Sequence, residues 1–244
     1  MVKYIIGLIT HKRSAIMINN EQRLSIIQNL IDSGVEIPCF DGVIIEPDAT
    51  IGKGTVIMPG TVIMGDVKIG TECVIGPNSY IVNSTIGNGT RLNNTQVYDS
   101  QIGNGVTAGP FVHVRPNCKI ADNVHIGNFV EVKNSTVDVG SKLPHLLYVG
   151  DSDVGKDVNF GCGCVTVNYD GMNKSRTTVK DGAFIGCNTN LVAPVTVGEN
   201  AFTAAGSTIT EDVPDNSLAV ARSRQTVKED WVNVKKPYKR QHTK

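Results

Sequence analysis

Of the five histidines in this chain, His145 is the candidate proton carrier. It stands in Leu143-Pro144-His145-Leu146-Leu147-Tyr148, where the hydrophobic register is locally irregular. An imidazole accepts a proton near neutral pH and so suits a general base. Taken alone, it reads as an ordinary surface histidine, as do His11, His113, His125 and His242. Arg115 and Lys133 each follow a valine of one repeating pattern, Val114 and Val132. A guanidinium fork and an ammonium in equivalent places suit a phosphate monoester. Taken alone, they are two solvated basic residues. Cys162-Gly163-Cys164 invites a metal-ligand or nucleophile reading. No second Cys/His pair at zinc spacing accompanies it. Residues two apart on a strand share a face, so both thiols are expected to point inward as small hydrophobes.

A six-residue ruler positions these groups. Ile51, Ile57, Ile63, Ile69, Ile75 and Ile81 fall six apart, the phase slips, and the ruler resumes from Ile102 to Val132 and from Val179 to Ile209. Glycine often follows the ruled residue, as in Ile51-Gly52 and Ile185-Gly186. A period of six fits neither an amphipathic helix nor a hairpin protein. It marks a parallel β-helix of hexapeptides, each a short strand and a sharp turn. The fold class is therefore all-β, with the aliphatic residue pointing into the coil and a small or polar residue at the tight corner.

Scarce aromatics (5%) agree with a core of stacked Ile and Val. Zero formal net charge gives no reason to invoke nucleic acid. No apolar run reaches the roughly 18–20 residues needed to cross a bilayer, and residues 4–9 are too short for a signal peptide. Six cysteines without framework spacing fit a reduced, cytoplasmic setting. Residues 19–33 are predicted to be helical, capped by Asn19 or Asn20, with Leu24, Ile27 and Ile31 on one face and Gly34 and Pro38 as stops. Residues 1–18 combine a β-like run with a basic turn at Lys12 and Arg13. The expected division is an N-terminal segment with its helix (1–42), a β-helix (43–213) and a charged tail (214–244) containing Lys235, Lys236, Lys239 and Arg240. Asn168–Thr178 is too polar for a coil and is expected to leave it as a loop.

The segment from Gly109 to Gly171 carries the runs GPFVHVRP, GNFVEVK, GSKLPHLLYVGDSDVGKDVNFGCG and VNYDG, and LVAPVTVG and TAAGSTIT follow. Together they resemble the acetyltransferase half of the bifunctional bacterial GlmU family, over roughly residues 19–232. That family acetylates glucosamine-1-phosphate and then attaches UMP. The resemblance implies a left-handed parallel β-helix, three hexads per coil, assembled as a homotrimer with shared active sites. The residues before 43 are too few for the family's nucleotidyltransferase domain, so a separate uridyltransferase is expected downstream. Gly87-Asn88-Gly89-Thr90-Arg91 imitates that domain's glycine-rich signature, but it lies between Ile86 and Leu92 and reads as a β-helix corner.

By the same resemblance His145 is the general base, and Arg115, Lys133, Tyr148 and Asn159 bind the sugar phosphate. Cys162, Asn168, Tyr169, Cys187, Ala205 and Arg222 match acetyl-CoA positions. Cys162 stands where the family usually has alanine, and Cys187 where it usually has serine, a stronger hydrogen-bond donor than a thiol. Turn bonding or packing rivals the functional reading at Tyr148, Asn159, Asn168 and Tyr169. Transfer is implied to be direct, with acetyl-CoA as co-substrate, no acetyl-enzyme and no metal. Three rivals stand. Another acyltransferase on this scaffold would keep His145 without needing Arg115 and Lys133 together. A γ-class carbonic anhydrase would need three histidines at metal geometry, which His125 and His145 do not match. A non-catalytic scaffold is the third.

Overall fold

The computed structural model describes residues 18–235. The expected β-like run at 4–9, His11, Lys12 and Arg13, and the tail residues Lys236, Lys239, Arg240 and His242, lie outside them. No helix among the described residues is long and apolar enough to cross a membrane.

Helix α1 spans Asn20–Asp32. Asn19, not Asn20, is its cap: the Asn19 side chain accepts from the Gln22 amide while the Gln22 side chain accepts from the Asn19 amide. Gly34, at φ +94°, ends it. Ile27 is its buried residue, flanked by Leu30 and Ile31. Leu24, expected on the same face, is 40% exposed. The Arg23 guanidinium donates to the carbonyls of Phe40 and Val43, tying the helix to the first coil. The helix thereby covers one end of a stack whose strand edge would otherwise be open to pairing.

Every strand pairing from there on is parallel. Ile44 pairs with Val62 and Val62 with Tyr80, a repeat of 18 residues, which is three hexads per coil. The ruled residues stack in buried columns. One column runs Ile45, Ile63, Ile81, Val97, Val114, Val132 and Val149. Another runs Ile57, Ile75, Leu92, Ala108, Ile126, Leu143, Phe160 and Ile185. Thr203 continues the second column with its hydroxyl satisfied by the Gly186 amide, so a polar atom is buried without cost. Strands continue past Val213 to Leu218–Ala219.

The phase slips of the ruler have a physical cause. Gln96 pairs with Tyr80, a repeat of 16, because two corners are each one residue short. Asn83 and Asn94 turn those corners at φ 45° and 48°. Asn and Asp tolerate this left-handed conformation better than other side chains. Each is followed by a buried hydroxyl, Ser84 or Thr95. Asn134–Ser135 and Asp151–Ser152 shorten corners in the same way. Gly87–Thr90 form a corner as expected, with Gly89 at φ 64° and the Thr90 hydroxyl donating to the Gly103 carbonyl, and Arg91 opens the next strand.

Val165 pairs with Asn190, a repeat of 25 rather than 18, so seven residues leave the coil here. The loop is shorter than expected: Thr177 and Thr178 already belong to the strand Thr177–Val179. Arg176 anchors its return through two bonds to Asp153 at 2.9 and 2.6 Å and through the carbonyls of Asn134 and Ser152.

Coils pack closely beside His145. A Cβ on Gly127 would lie 1.8 Å from the carbonyl oxygen of Pro144. Gly127→Ala is therefore expected to destabilise the fold by about 1–3 kcal/mol, the scale of an overpacked site. Calorimetry reads this as a lowered Tm, and an unchanged Tm would show that the coils give way.

Candidate active site

His145 belongs to a column of one residue per coil. Asn128 is in register with His145. The Gly163 amide donates to the His145 carbonyl, the Asn188 amide to Cys162, and the Gly206 amide to Cys187. These bonds place His145, Cys162, Cys187 and Ala205 at one corner of successive coils, about 4.8 Å apart. The aliphatic part of Arg222 lies beside Gly206 and continues the line by one coil. The His145 ring is held: its Nδ1 lies 3.0 Å from the Asn128 side-chain oxygen. An amide oxygen only accepts, so with the Asn128 amide in this orientation Nδ1 is the donor and Nε2 is the ring nitrogen left for a ligand. Asn128 was not legible as a partner in the sequence, because the two residues meet only across a coil.

Arg115 and Lys133 form a second column at the far end of the same face. The Arg115 amide donates to Val132, and Lys133 is in register with Gly150. The Arg115 guanidinium donates to Glu131 at 2.8 Å. The Lys133 ammonium donates to Asp151 at 3.1 Å, and the Lys174 side chain lies beside it. Burial works against the Lys133 charge, but the bond and the charge of Asp151 outweigh it and raise its pKa. Burial likewise pushes the Asp151 carboxyl up, but donors from Asn134, Asn168 and Lys133 hold it below the usual range. Tyr148 lies between the columns, in register with Glu131. Its ring crosses Gly150, where a Cβ would stand 2.3 Å from the phenol oxygen, so only glycine leaves room for it.

The remaining expected residues divide between these places. Asn159 is in register with Lys142 and Phe184, around the corner from Tyr148. Asn168 is buried and donates to Asp151, on the Lys133 side. Tyr169 is 55% exposed at the loop's root and donates to the Gly171 carbonyl. Within one chain the phosphate-type and histidine-type residues therefore stand in separate columns. Five strand positions separate the register of His145 from that of Lys133, at about 3.3 Å each and with one bend, a gap of more than about 10 Å. The concavity lined by Gln101, Lys119 and Thr136 lies on a different face.

The expected inward pair of thiols is half right. Cys164 is buried, and burial pushes its pKa up to about 11, which leaves an inert thiol. Cys162 is half-exposed, because Gly163 turns at φ +77° and ends the strand alternation between them. Among the described residues, no group of three His, Cys, Asp or Glu side chains is placed to hold a metal ion. His125 bonds Thr107, and His113 packs edge-on against Tyr98 at 5.5 Å. Glu131, Asp151 and Lys174 join the candidate site from positions that sequence reasoning passed over.

Comparison with known proteins bears on the repeat and the fold. The model for the bacterial transferase hexapeptide (six repeats) matches residues 48–83, 99–134 and 176–211. The chain is 60% identical over 189 residues to the bifunctional protein GlmU of Geobacillus sp., covering 78% of this chain and 41% of that protein. It is 53% identical over 222 residues to the bifunctional protein GlmU of Caldanaerobacter subterraneus, covering 90% of this chain and 49% of that protein. The chain thus spans about half the length of the curated relatives it matches. Among solved structures, an Arabidopsis UDP-N-acetylglucosamine acyltransferase superposes with a TM-score of 0.57 at 18% identity, covering 74% of this chain and 70% of that one. At that identity the likeness bears on the fold alone.

Proposed function

The chain is related, over most of its length, to about half of the bifunctional GlmU proteins, and from that relation we propose that it is an acetyl-CoA-dependent N-acetyltransferase acting on glucosamine-1-phosphate. The observation that carries this reading is the pairing of two outward columns on one face. One presents a histidine with its Nε2 free to accept; the other presents an arginine and a lysine.

Arg115 and Lys133 hold the sugar's phosphate. The C2 amine loses a proton to Nε2 of His145 and attacks the thioester carbonyl of acetyl-CoA. The tetrahedral oxyanion collapses, the C–S bond breaks, and CoA leaves as the thiol after taking up a proton. Backbone N–H groups at the corner of Cys162 are the candidate oxyanion donors. Cys187, Ala205 and Arg222, on the following coils, line the path of the coenzyme, with Asn168 and Tyr169 at its mouth and Tyr148 and Asn159 about the sugar. Transfer of this kind requires no metal. The product, an N-acetylated sugar 1-phosphate, is the substrate type of a nucleotidyltransferase, the class of enzyme that attaches UMP.

The gap between the columns supports a site assembled from neighbouring copies, as a homotrimer provides. An apolar ridge beside His145 supports it too. Phe111, Phe129 and Leu146 occupy one corner at φ 62°, 59° and 49° and are 52–58% exposed in the single chain. The two phenyl rings stack at 5.2 Å. Bulky residues in this conformation are costly outliers, which a function or an interface must offset.

Free-thiol release from acetyl-CoA tests the proposal. Release is expected to require glucosamine-1-phosphate, with glucosamine-6-phosphate and free glucosamine inert. Arg115→Ala is expected to raise KM for the sugar phosphate by about tenfold or more, the scale of a lost charge-assisted bond, with kcat little changed. Release that ignores the sugar phosphate, or none from the folded protein, would send the search to another acceptor or to a scaffold without activity.

A further inference from the structure

Asp151 is a carboxylate to which the reaction above gives no task. Its side chain is 6% exposed. Oδ2 accepts from the Lys133 ammonium at 3.1 Å and from the Asn168 side-chain amide, and Oδ1 accepts from the Asn134 amide. A corner alone does not explain it. Asn83 and Asp99 turn other short corners of this face, and Asp99 is exposed there with one bond from Asn83. A carboxylate taken out of water is costly unless donors surround it, and here three do.

We infer that Asp151 is a positioning residue that sets Lys133 and Asn168 as one unit, linking the phosphate anchor to the root of the 168–176 loop. The inference rests on the proposed function in assigning Lys133 to the phosphate. An ammonium has three N–H donors, and one spent on Asp151 leaves two for a ligand. The Lys133 side chain is 19% exposed, so it reaches the surface from a fixed base. Asn168 hands the constraint to the loop: its carbonyl accepts from the Ser175 amide, closing the root, and Tyr169 bridges Lys174 just beyond. The Lys174 side chain returns beside Lys133. Two ammonium groups against one carboxylate leave this corner net positive, as an incoming phosphate requires.

Asp151→Asn keeps the shape and removes the charge, and its NH2 faces donors. It is expected to raise KM for glucosamine-1-phosphate by about tenfold, the scale of one charge-assisted bond, while kcat stays near wild type. In a double-mutant cycle, adding Asp151→Asn to Lys133→Ala should raise KM no further. A second readout needs no activity: trypsin should cut after Lys174 several times faster in Asp151→Asn than in wild type, at equal Tm. Asp151→Ser, a small residue able to hold the corner, serves if the asparagine variant does not fold. Wild-type KM and wild-type cleavage in a folded variant would overturn the inference, as would KM effects that simply multiply in the cycle. If the wild type is inert toward glucosamine-1-phosphate, the acceptor assignment falls, and the cleavage rates alone decide the role of Asp151.

Discussion

His145→Ala is expected to lower kcat by about 10²–10⁴, the range that a positioned base contributes, while KM for both substrates moves little. The reason lies in how the ring is held. Asn128 holds Nδ1 from the coil before, which leaves Nε2 as the ring nitrogen that meets the amine. Removing the ring takes away the acceptor and leaves both binding columns in place. The amine must then lose its proton to water, so the residual rate of the variant should climb with pH over the range in which a free amine deprotonates. Thiol release measured from about pH 6 to 9 reads both effects. A loss below about tenfold would give the proton to another group. Asn128→Ala offers an independent check, since it should lower kcat in the same direction and by less.

The core of this fold was legible because each inward position obeys one rule. An aliphatic residue recurs once per strand, and Ile57 and Ile75 meet coil on coil as the ruler implies. What was not legible depends on which residues face each other across coils. Short corners at Asn83, Asn94, Asn134 and Asp151 shift that register by one residue each, and the loop shifts it by seven. The partnerships Asn128–His145, Glu131–Arg115 and Asp151–Lys133 all span 16 to 18 positions. No local signal marks them. Cys162 shows the same limit on a smaller scale, because a left-handed glycine between two cysteines cancels the alternation that their spacing implies. The candidate site residues were named from resemblance to a family. Their division into two columns was not legible, since a motif does not record register across coils.

That division yields the second large effect. Lys133→Ala and His145→Ala are each expected to leave little activity at subsaturating sugar phosphate. If each site takes His145 from one copy and Lys133 from its neighbour, co-assembling the two variants restores intact sites. Going round a trimer that contains both variants, a copy that keeps His145 is followed once by a copy that keeps Lys133, so about one third of sites recover. Both parents start near zero, so about a third of wild-type activity, against a near-zero background, is a large signal. The experiment co-expresses the variants with two different tags, selects assemblies carrying both, and measures thiol release per site. Activity that stays at the level of the parents would place both residues of each site in one chain. The gap between the columns argues otherwise. Leu146, at φ 49°, bends the strand between His145 and Tyr148, so the base and the anchors stand at opposite ends of the face. On the proposed reading, a sugar phosphate held by Lys133 meets the histidine of a second copy.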